Sequence, residues 1–203
     1  MYDPSMEGSR DVSGFILAGG KSTRMGRDKA FATFDGCTLL GRALDLARSV
    51  TSDVRVVGSR EIFARFAPVV EDVFPDRGPL GGIHAALQAS SAGLNFILAV
   101  DMPFVSLAFL QYLISEARTA ADAAVVVPRR DGRWQPLCAV YRQKFADAAE
   151  AALLAGRNKI DPLFIAAETK VIDEVQMDRA GFPESIFRNL NTLEELEEQQ
   201  RRG

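Results

Sequence analysis

Residues 14–29 read GFILAGGKSTRMGRDK, and this stretch carries the clearest indication of the fold. Its apolar start runs into the pair Gly19–Gly20, a pattern typical of a buried strand that leads into a loop. Adjacent glycines let backbone N–H groups approach an anion closely, and consecutive amides form an anion-binding concavity. Four basic residues stand in the same loop: Lys21, Arg24, Arg27 and Lys29. We therefore predict a phosphate-binding loop directly after the first strand.

Two common nucleotide-binding motifs do not fit this loop. A P-loop would need a glycine at the position of Phe15, although Gly20-Lys21-Ser22 imitates its end. A dinucleotide fingerprint needs the pattern Gly-x-Gly-x-x-Gly, which Gly19–Gly20 followed by Gly26 does not provide. The remaining alternative is a basic loop without function on an ordinary α/β protein.

Strand-like and helix-like patterns alternate along the rest of the chain. Buried-strand runs at 54–57 and 95–100 are separated from their neighbours by helical spacing, as at 38–50 and 106–121, the latter with Ser106 as a candidate N-cap. Further helices are predicted at 82–91 and, as a charged C-terminal segment, at 192–200. This alternation predicts a three-layer α/β/α sandwich with a mainly parallel sheet. Segment 135–141 predicts a further strand, and its proline indicates an edge position.

The predicted sheet also locates the functional edge. Ligands bind such sheets in the crevice beyond the carboxyl ends of the strands. Four loops should therefore meet there, those after residues 18, 58, 72 and 100.

Asp101 is the principal candidate for a metal ligand. It follows the apolar run Asn95–Val100 and precedes Met102–Pro103. Mg²⁺ usually takes one or two carboxylates together with phosphate oxygens and water, so a carboxylate facing a phosphate-binding loop suits it. The alternative is an aspartate that only forms a turn before proline.

Composition limits the class of protein. The chain has 203 residues, of which 47% are hydrophobic, enough for one α/β domain. A net charge of −3 argues against a general nucleic-acid binder. Because no apolar run reaches the roughly 18 residues of a membrane span, and residues 1–12 lack a signal-peptide pattern, we expect no membrane association. Two cysteines without metal-like spacing indicate reduced thiols and a cytoplasmic location.

Residues 17–29 resemble the signature of nucleotidyltransferases with the nucleotide-diphospho-sugar transferase fold. Among these, the chain is most similar to the molybdenum cofactor guanylyltransferases, which attach GMP to molybdopterin. Further segments agree in order along the chain: Gly78–Ile83, Asp101–Phe104, Gln135–Leu137 and Asn189–Thr192. The resemblance extends over about residues 13 to 197. It departs from the family at Gly58, where an asparagine is expected, and at Leu193, where a proline is expected.

This resemblance implies that the protein transfers GMP from GTP to the phosphate of molybdenum-molybdopterin, releasing pyrophosphate, with Mg²⁺ as cofactor. The polar composition of residues 1–12 indicates a flexible leader, and residues 13–203 are interpreted as a single domain. Less regular patterns after about residue 128 indicate a second lobe of that domain, so that 13–128 would bind the nucleotide and 129–203 the acceptor. Transient contact with molybdoenzymes or cofactor-delivery proteins would follow, with neither nucleic acid nor membrane as a partner. The alternatives are a cytidylyltransferase or a sugar- or alcohol-phosphate nucleotidyltransferase of the same fold, and a non-catalytic nucleotide-binding adaptor.

The resemblance also assigns site residues. The implied nucleotide-binding residues are Leu17, Ala18, Gly19, Gly20, Lys29, Asp72, Gly81, Gly82 and Asp101. Catalysis would depend on Arg24, Lys29 and Asp101, and the metal would bind Asp101. The implied acceptor-binding residues are Gln135, Lys159, Asn189 and Asn191.

Two further residues bear on these assignments. The resemblance places Asp72 near guanine, and a carboxylate can accept hydrogen bonds from the N1–H and the amino group of this base. Glu71 is one residue away and could take the same role. The alternative is that Asp72 is a surface acid without function. We interpret His84 as an ordinary helix residue rather than a general base, because the phosphate nucleophile is already anionic and needs no base.

Overall fold

The computed structural model describes residues 11–19 and 29–190. The strands in these ranges are β1 (Val12–Leu17), β2 (Thr33–Phe34), β3 (Cys37–Thr38), β4 (Val54–Val57), β5 (Val69–Val70), β6 (Leu94–Ala99), β7 (Val125–Arg130), β8 (Arg133–Trp134), β9 (Cys138–Tyr141) and β10 (Thr169–Ile172). The α-helices are α1 (Leu39–Arg48), α2 (Arg60–Phe63), α3 (Pro79–Gln88), α4 (Leu107–Thr119), α5 (Phe145–Leu154), α6 (Asp161–Ala166) and α7 (Glu174–Arg179). Short 3₁₀ turns form at Lys29–Phe31 and Glu184–Phe187.

Several predictions made from the sequence lie outside the described residues. They are most of the leader at 1–12, the predicted C-terminal helix over 192–200, and the site residues Gly20, Arg24 and Asn191.

One sheet of eight strands organises the chain. Its order is β10–β7–β9–β6–β1–β4–β5, and β8 pairs with the end of β7. β1 lies parallel to β4 and β6, β5 is parallel to β4, and β10 is parallel to β7. Only β9 and β8 run antiparallel to their partners in this sheet. The predicted α/β sandwich with a mainly parallel sheet is confirmed.

Both faces of the sheet are covered by helices. Successive side chains of a strand point to opposite faces, and Phe15 and Ile16 of β1 accordingly enter two different apolar clusters. The cluster around Ile16 includes side chains of α1 and α4, whereas the cluster around Phe15 includes side chains of α3, α5 and α6. β1 is therefore buried on both faces, as the apolar run at residues 14–18 predicted.

The prediction that segment 135–141 forms an edge strand is wrong. β9 lies inside the sheet, between β7 and β6. Pro136 does not interrupt the ladder because it precedes the paired residues, and its carbonyl accepts a hydrogen bond from the Tyr141 hydroxyl at 2.8 Å. The proline marks the turn before the strand and not an open sheet edge.

Local signals explain the helix starts. Thr38 and Ser106 cap α1 and α4 by accepting hydrogen bonds from the amides of Gly41 and Phe109, as the predicted N-cap at Ser106 required. α3 begins at Pro79, three residues before the predicted start, because proline is well suited to the first helical position. No helix in the described part of the chain is long and apolar enough to cross a membrane.

Candidate active site

The carboxyl ends of β1, β4, β5 and β6 meet at one edge of the sheet. The Ala18 amide donates to the Val57 carbonyl at 3.1 Å, and the Gly58 amide donates to the Val70 carbonyl at 3.0 Å. On the other side of β1, the Val100 amide donates to the Leu17 carbonyl at 3.1 Å. These bonds continue the ladders past the strand ends, so the loops that leave the four strands begin side by side.

An ion pair lies at this edge. Lys29 opens a short 3₁₀ turn, and its Nζ lies 2.7 Å from Oδ2 of Asp101, which follows β6. The two side chains are only 13% and 22% exposed. Within the described ranges, the Asp101 carboxylate has no other hydrogen bond or ion pair. The structure therefore brings together two residues of the implied nucleotide site that stand 72 positions apart in the sequence.

Backbone contacts hold Asp101 in place. The Met102 amide donates to the Ala99 carbonyl at 3.3 Å, which turns the chain directly after β6. The Asp101 carbonyl accepts a hydrogen bond from the Leu190 amide at 3.1 Å, and Leu190 is fully buried. Exposed Asn189, an implied acceptor residue, is thereby placed beside Asp101.

The backbone groups of the glycine segment that are open to a ligand begin after Leu17. The Leu17 carbonyl and the Ala18 amide are both used between strands. The Ala18 carbonyl and the Gly19 amide have no hydrogen-bond partner in the part of the chain that the structure describes. Gly19 is exposed, so its amide is the first that a ligand can reach.

Gly58 stands where the resemblance leads one to expect asparagine, and packing explains the difference. A Cβ atom at this position would lie 2.9 Å from the ring of Phe63, closer than real Cβ contacts allow. Phe63 is 1% exposed and stacks on Phe31 with ring centroids 6.0 Å apart, so it has little room to move. A side chain at residue 58 and this placement of Phe63 therefore exclude each other.

The start of α3 packs tightly against the site. A Cβ atom on Gly81 would lie 2.9 Å from the Phe74 carbonyl oxygen, and one on Gly82 would lie 3.1 Å from the Leu17 side chain. Both glycines are buried. Their lack of side chains lets the helix approach β1 and the loop after β5, which gives them a packing role beside the implied nucleotide contact.

Asp72 and Glu71 have different environments. Glu71 accepts hydrogen bonds from the Arg60 backbone amide at 3.2 Å and from the Arg60 Nε at 3.1 Å, and these bonds lower the pKa of Glu71. In contrast, Asp72 has no hydrogen-bond or ion-pair partner within residues 11–19 and 29–190, and desolvation raises its pKa. The geometry favours Asp72 as the carboxylate open to a ligand.

One cleft connects Gln135 with the chain segment that leads to Asn189. Gln135 lines an open cleft of about 400 Å³, shared with the chain segment just before Asn189. Lys159 is exposed on a different loop, where the neighbouring Asn158 accepts a hydrogen bond from Arg77 at 3.4 Å. The structure thus separates Lys159 from the Gln135 cleft.

The cleft contains charged residues that the sequence interpretation missed. Its charged lining consists of Arg130, Asp131, Arg133, Glu184 and Arg188. Arg130 and Arg133 are directly opposite each other across the β7–β8 hairpin. The dipeptide Asp131–Gly132 is a strong hairpin signal and could have placed these two arginines together.

The Arg130 side chain is 9% exposed and pairs with Asp178 of α7. Its buried Nε has no partner in the described structure.

His84 and Cys138 do not belong to the site. His84 is 1% exposed on α3 and packs edge-on against Phe74, with ring centroids 5.1 Å apart. Its interpretation as an ordinary helix residue is confirmed. Cys138 is buried in β9, and burial raises the pKa of its thiol far above the usual range. Both side chains are buried in the core, so neither is exposed to a ligand at this edge of the sheet.

The donor set at this edge suits a metal that arrives with phosphate. Among the described residues, no group of three or more His, Cys, Asp or Glu side chains could hold a metal ion. Asp101 supplies one carboxylate beside the phosphate-binding segment. Mg²⁺ commonly binds through one or two carboxylates plus substrate phosphates, so this arrangement fits Mg²⁺ better than a metal that needs a complete protein cage.

A mainly parallel sheet with a glycine segment and a lysine–aspartate pair at its carboxyl edge is the arrangement of an enzyme of the nucleotidyltransferase class. Residues 14–170 match the family model described as the MobA-like NTP transferase domain. The chain belongs to this family.

Curated relatives agree with this assignment. The molybdenum cofactor guanylyltransferase of Desulfosudis oleivorans is 37% identical over 92% of this chain and 93% of its own length. The probable molybdenum cofactor guanylyltransferase of Clostridium perfringens is 31% identical over 92% of this chain and 94% of its own length.

Solved structures show the same fold. Molybdopterin-guanine dinucleotide biosynthesis protein A from Archaeoglobus fulgidus superposes with a TM-score of 0.80 at 26% identity, covering 93% of this chain and 97% of its own. The 2-C-methyl-D-erythritol 4-phosphate cytidylyltransferase of Thermus thermophilus reaches a TM-score of 0.68 at 19% identity, covering 95% of this chain and 100% of its own. The latter likeness concerns the fold alone.

Proposed function

We propose that this protein is a molybdenum cofactor guanylyltransferase that transfers GMP from GTP to the phosphate of molybdenum-molybdopterin. The observation that carries the proposal is the Lys29–Asp101 pair, 2.7 Å apart beside the glycine segment, in a chain whose relatives bear that name. A cation for phosphate and a carboxylate for metal are the two groups that such a transfer needs.

The reaction requires little covalent chemistry from the protein. A phosphate oxygen of the acceptor forms a bond to the α-phosphorus of GTP, while the bond from that phosphorus to the bridging oxygen breaks and pyrophosphate leaves. The attacking phosphate is already anionic, so catalysis consists mainly of positioning and charge neutralisation. The burial of His84 and Cys138 in the core agrees with this chemistry, since neither side chain is presented to a ligand.

We assign the triphosphate to the glycine segment, with Lys29 and the predicted contact from Arg24 offsetting its charge. The Gly19 amide is the first donor in this segment that a phosphate or ribose oxygen can reach. Asp101 would hold Mg²⁺, which supplies neutralisation of the phosphate charge when bound.

Guanine recognition is assigned to Asp72. A carboxylate accepts hydrogen bonds from both the N1–H and the amino group of guanine, and cytosine does not present this pair of donors. Asp72 is exposed and has no partner within the described residues, whereas Glu71 is committed to Arg60. This contrast supports guanine over cytosine, the base used by the cytidylyltransferase fold neighbour.

The acceptor is assigned to the cleft that contains Gln135. Arginines 130, 133 and 188 offer donors for anionic groups of molybdopterin, and Gln135 and Ser185 offer neutral hydrogen bonds. This cleft adjoins the segment that ends at Leu190, whose amide bonds to Asp101. An acceptor bound there would have its phosphate directed towards the metal side of the nucleotide.

Pyrophosphate release tests the proposal directly. Purified protein with Mg²⁺ and molybdenum-molybdopterin should release pyrophosphate with GTP and much less with CTP. Release with CTP but not GTP would establish a cytidylyltransferase instead. Tight GTP binding without release, with this acceptor or with sugar phosphates, would favour a nucleotide-binding adaptor.

We also propose a cytoplasmic location, in keeping with two free thiols at Cys37 and Cys138. Transient contact with molybdoenzymes or cofactor-delivery proteins would pass on the product.

A further inference from the structure

The ion pair at the strand ends joins two residues with different proposed ligands. Lys29 is assigned to the triphosphate and Asp101 to Mg²⁺, yet here the ammonium group lies 2.7 Å from the carboxylate. The Lys29 ammonium group lies where Mg²⁺ would bind Asp101, and the Asp101 carboxylate lies where a phosphate would bind Lys29. The inference below rests on these proposed roles.

A divalent cation that approached Asp101 alone would meet the charge of Lys29. Both cations would share one carboxylate, and the low exposure of the two side chains, 13% and 22%, leaves little solvent to screen their repulsion. The single carboxylate also gives a free metal few ligands, since no group of three acidic, His or Cys side chains is found among the described residues.

A bound triphosphate would reverse this situation. Its oxygens offer Lys29 a new partner, which releases the carboxylate, and they add ligands for the metal. Triphosphate and metal would then each favour binding of the other, and thermodynamic linkage requires the effect to be equal in both directions.

We propose that Lys29 acts as an electrostatic latch on Asp101: it keeps free divalent cations out of the empty site and releases the carboxylate when polyphosphate binds. The site therefore takes up metal together with the nucleotide. When pyrophosphate leaves, the Lys29–Asp101 pair re-forms and the metal leaves too.

Metal binding without nucleotide tests the latch. Mn²⁺ bound to the protein is measured by water-proton relaxation enhancement for the wild type and for Lys29→Gln. Coupling between linked sites is typically at least about fivefold, so we expect the variant to bind Mn²⁺ alone at least about fivefold more tightly. Lys170→Gln, which removes a lysine 3.7 Å from Glu116 in a different part of the sheet, is the matched control and should match the wild type.

Two further measurements complete the test. The gain in Mn²⁺ affinity should vanish in the double variant Lys29→Gln/Asp101→Asn. It should also be absent in Lys29→Arg, because arginine keeps the positive charge. Inorganic tripolyphosphate should raise the affinity of the wild type for Mn²⁺ by a larger factor than that of Lys29→Gln.

Equal or weaker Mn²⁺ binding by folded Lys29→Gln would overturn the proposal, as would a gain that persists without Asp101. The proposal would also be overturned if tripolyphosphate raised the Mn²⁺ affinity of the wild type and of Lys29→Gln by the same factor. This comparison remains possible if the variant folds only in the presence of tripolyphosphate. These assays use neither guanine nor molybdopterin, so their result is independent of whether GMP transfer is the reaction.

Discussion

The Leu190 amide donates a hydrogen bond to the Asp101 carbonyl at 3.1 Å. This bond joins the end of the described chain to the turn that follows the central strand β6. Leu190 is fully buried, so the contact belongs to the packed core and not to a loose terminus. The acceptor-side residue Asn189 and the proposed metal ligand Asp101 are thereby held on the same piece of structure.

Asp101→Ala should abolish turnover while leaving measurable GTP affinity. The variant loses the proposed Mg²⁺ ligand, whereas the glycine segment keeps its backbone donors. Pyrophosphate release and calorimetric GTP binding separate the two effects, and Asp147→Ala on the exposed face of α5 is the control. Near-normal turnover in Asp101→Ala would refute the metal assignment.

Lys29→Ala should weaken GTP binding or transfer by about tenfold or more. A charge-assisted hydrogen bond contributes roughly 1.5–3 kcal/mol, which corresponds to at least that factor. Steady-state kinetics with GTP give the change in KM and kcat, and Lys29→Arg should recover part of the loss. Unchanged kinetics would remove Lys29 from the site.

Asp72→Asn should reduce the preference for GTP over ITP, which lacks the guanine amino group.

Because desolvation raises the pKa of Asp72, its carboxylate is protonated at a higher pH than an ordinary aspartate. Guanine binding needs the ionised form, so GTP affinity should be complete above this raised pKa and decline as pH falls through it.

Calorimetry from neutral to mildly acidic pH measures the decline, and Asp72→Asn should remove this component of the pH dependence. Glu71→Gln serves as the control, because its carboxylate is held by Arg60. An identical pH profile for the wild type and Asp72→Asn would contradict the assignment.

Gly58→Asn, which restores the residue expected from the family, should destabilise this protein by about 1–3 kcal/mol, as overpacking of a core usually does. The new Cβ would lie 2.9 Å from the Phe63 ring. Urea unfolding measures the loss, and the second substitution Phe63→Leu should recover part of it. Gly36→Asn is a matched control, since nothing lies within 4 Å of a Cβ there and asparagine tolerates its φ of +75°.

Arg133→Gln should weaken acceptor binding while slightly stabilising the fold. Arg130 and Arg133 are directly opposite each other across a hairpin, and like charges in such positions are destabilising. The KM for molybdopterin should rise and the affinity for GTP should stay the same. In the control Arg129→Gln, stability should fall instead, because Arg129 lies over the Trp134 ring at 4.9 Å. A rise in stability without any change in acceptor KM would exclude Arg133 from the acceptor site.

Much of the fold could be predicted because its signals are local. The strand β4 was predicted with the bounds that the structure has, since its three valines are all buried and apolar runs of this kind indicate a strand inside a sheet. Short elements such as α6 and α7 escaped prediction, because six residues are too few to show helical periodicity.

The predicted division of the domain also depends on long-range pairing. Residue 128 lies within β7, which pairs with β9 and β10, so the sheet continues across the boundary placed there. A change in local regularity after residue 128 indicated a different lobe, but strand pairing decides continuity.

By itself, the sequence determined the chemical groups available at the functional edge and the elements that carry them. The Gly19 segment, Lys29 and Asp101 each follow from patterns of a few neighbouring residues. Only the tertiary structure decided which groups are occupied: Arg60 holds Glu71 and leaves Asp72 open, Lys29 pairs with Asp101, and Phe63 excludes a side chain at Gly58. Such pairings join residues far apart in the chain, and their geometry exists only after the sheet and its helices have packed together.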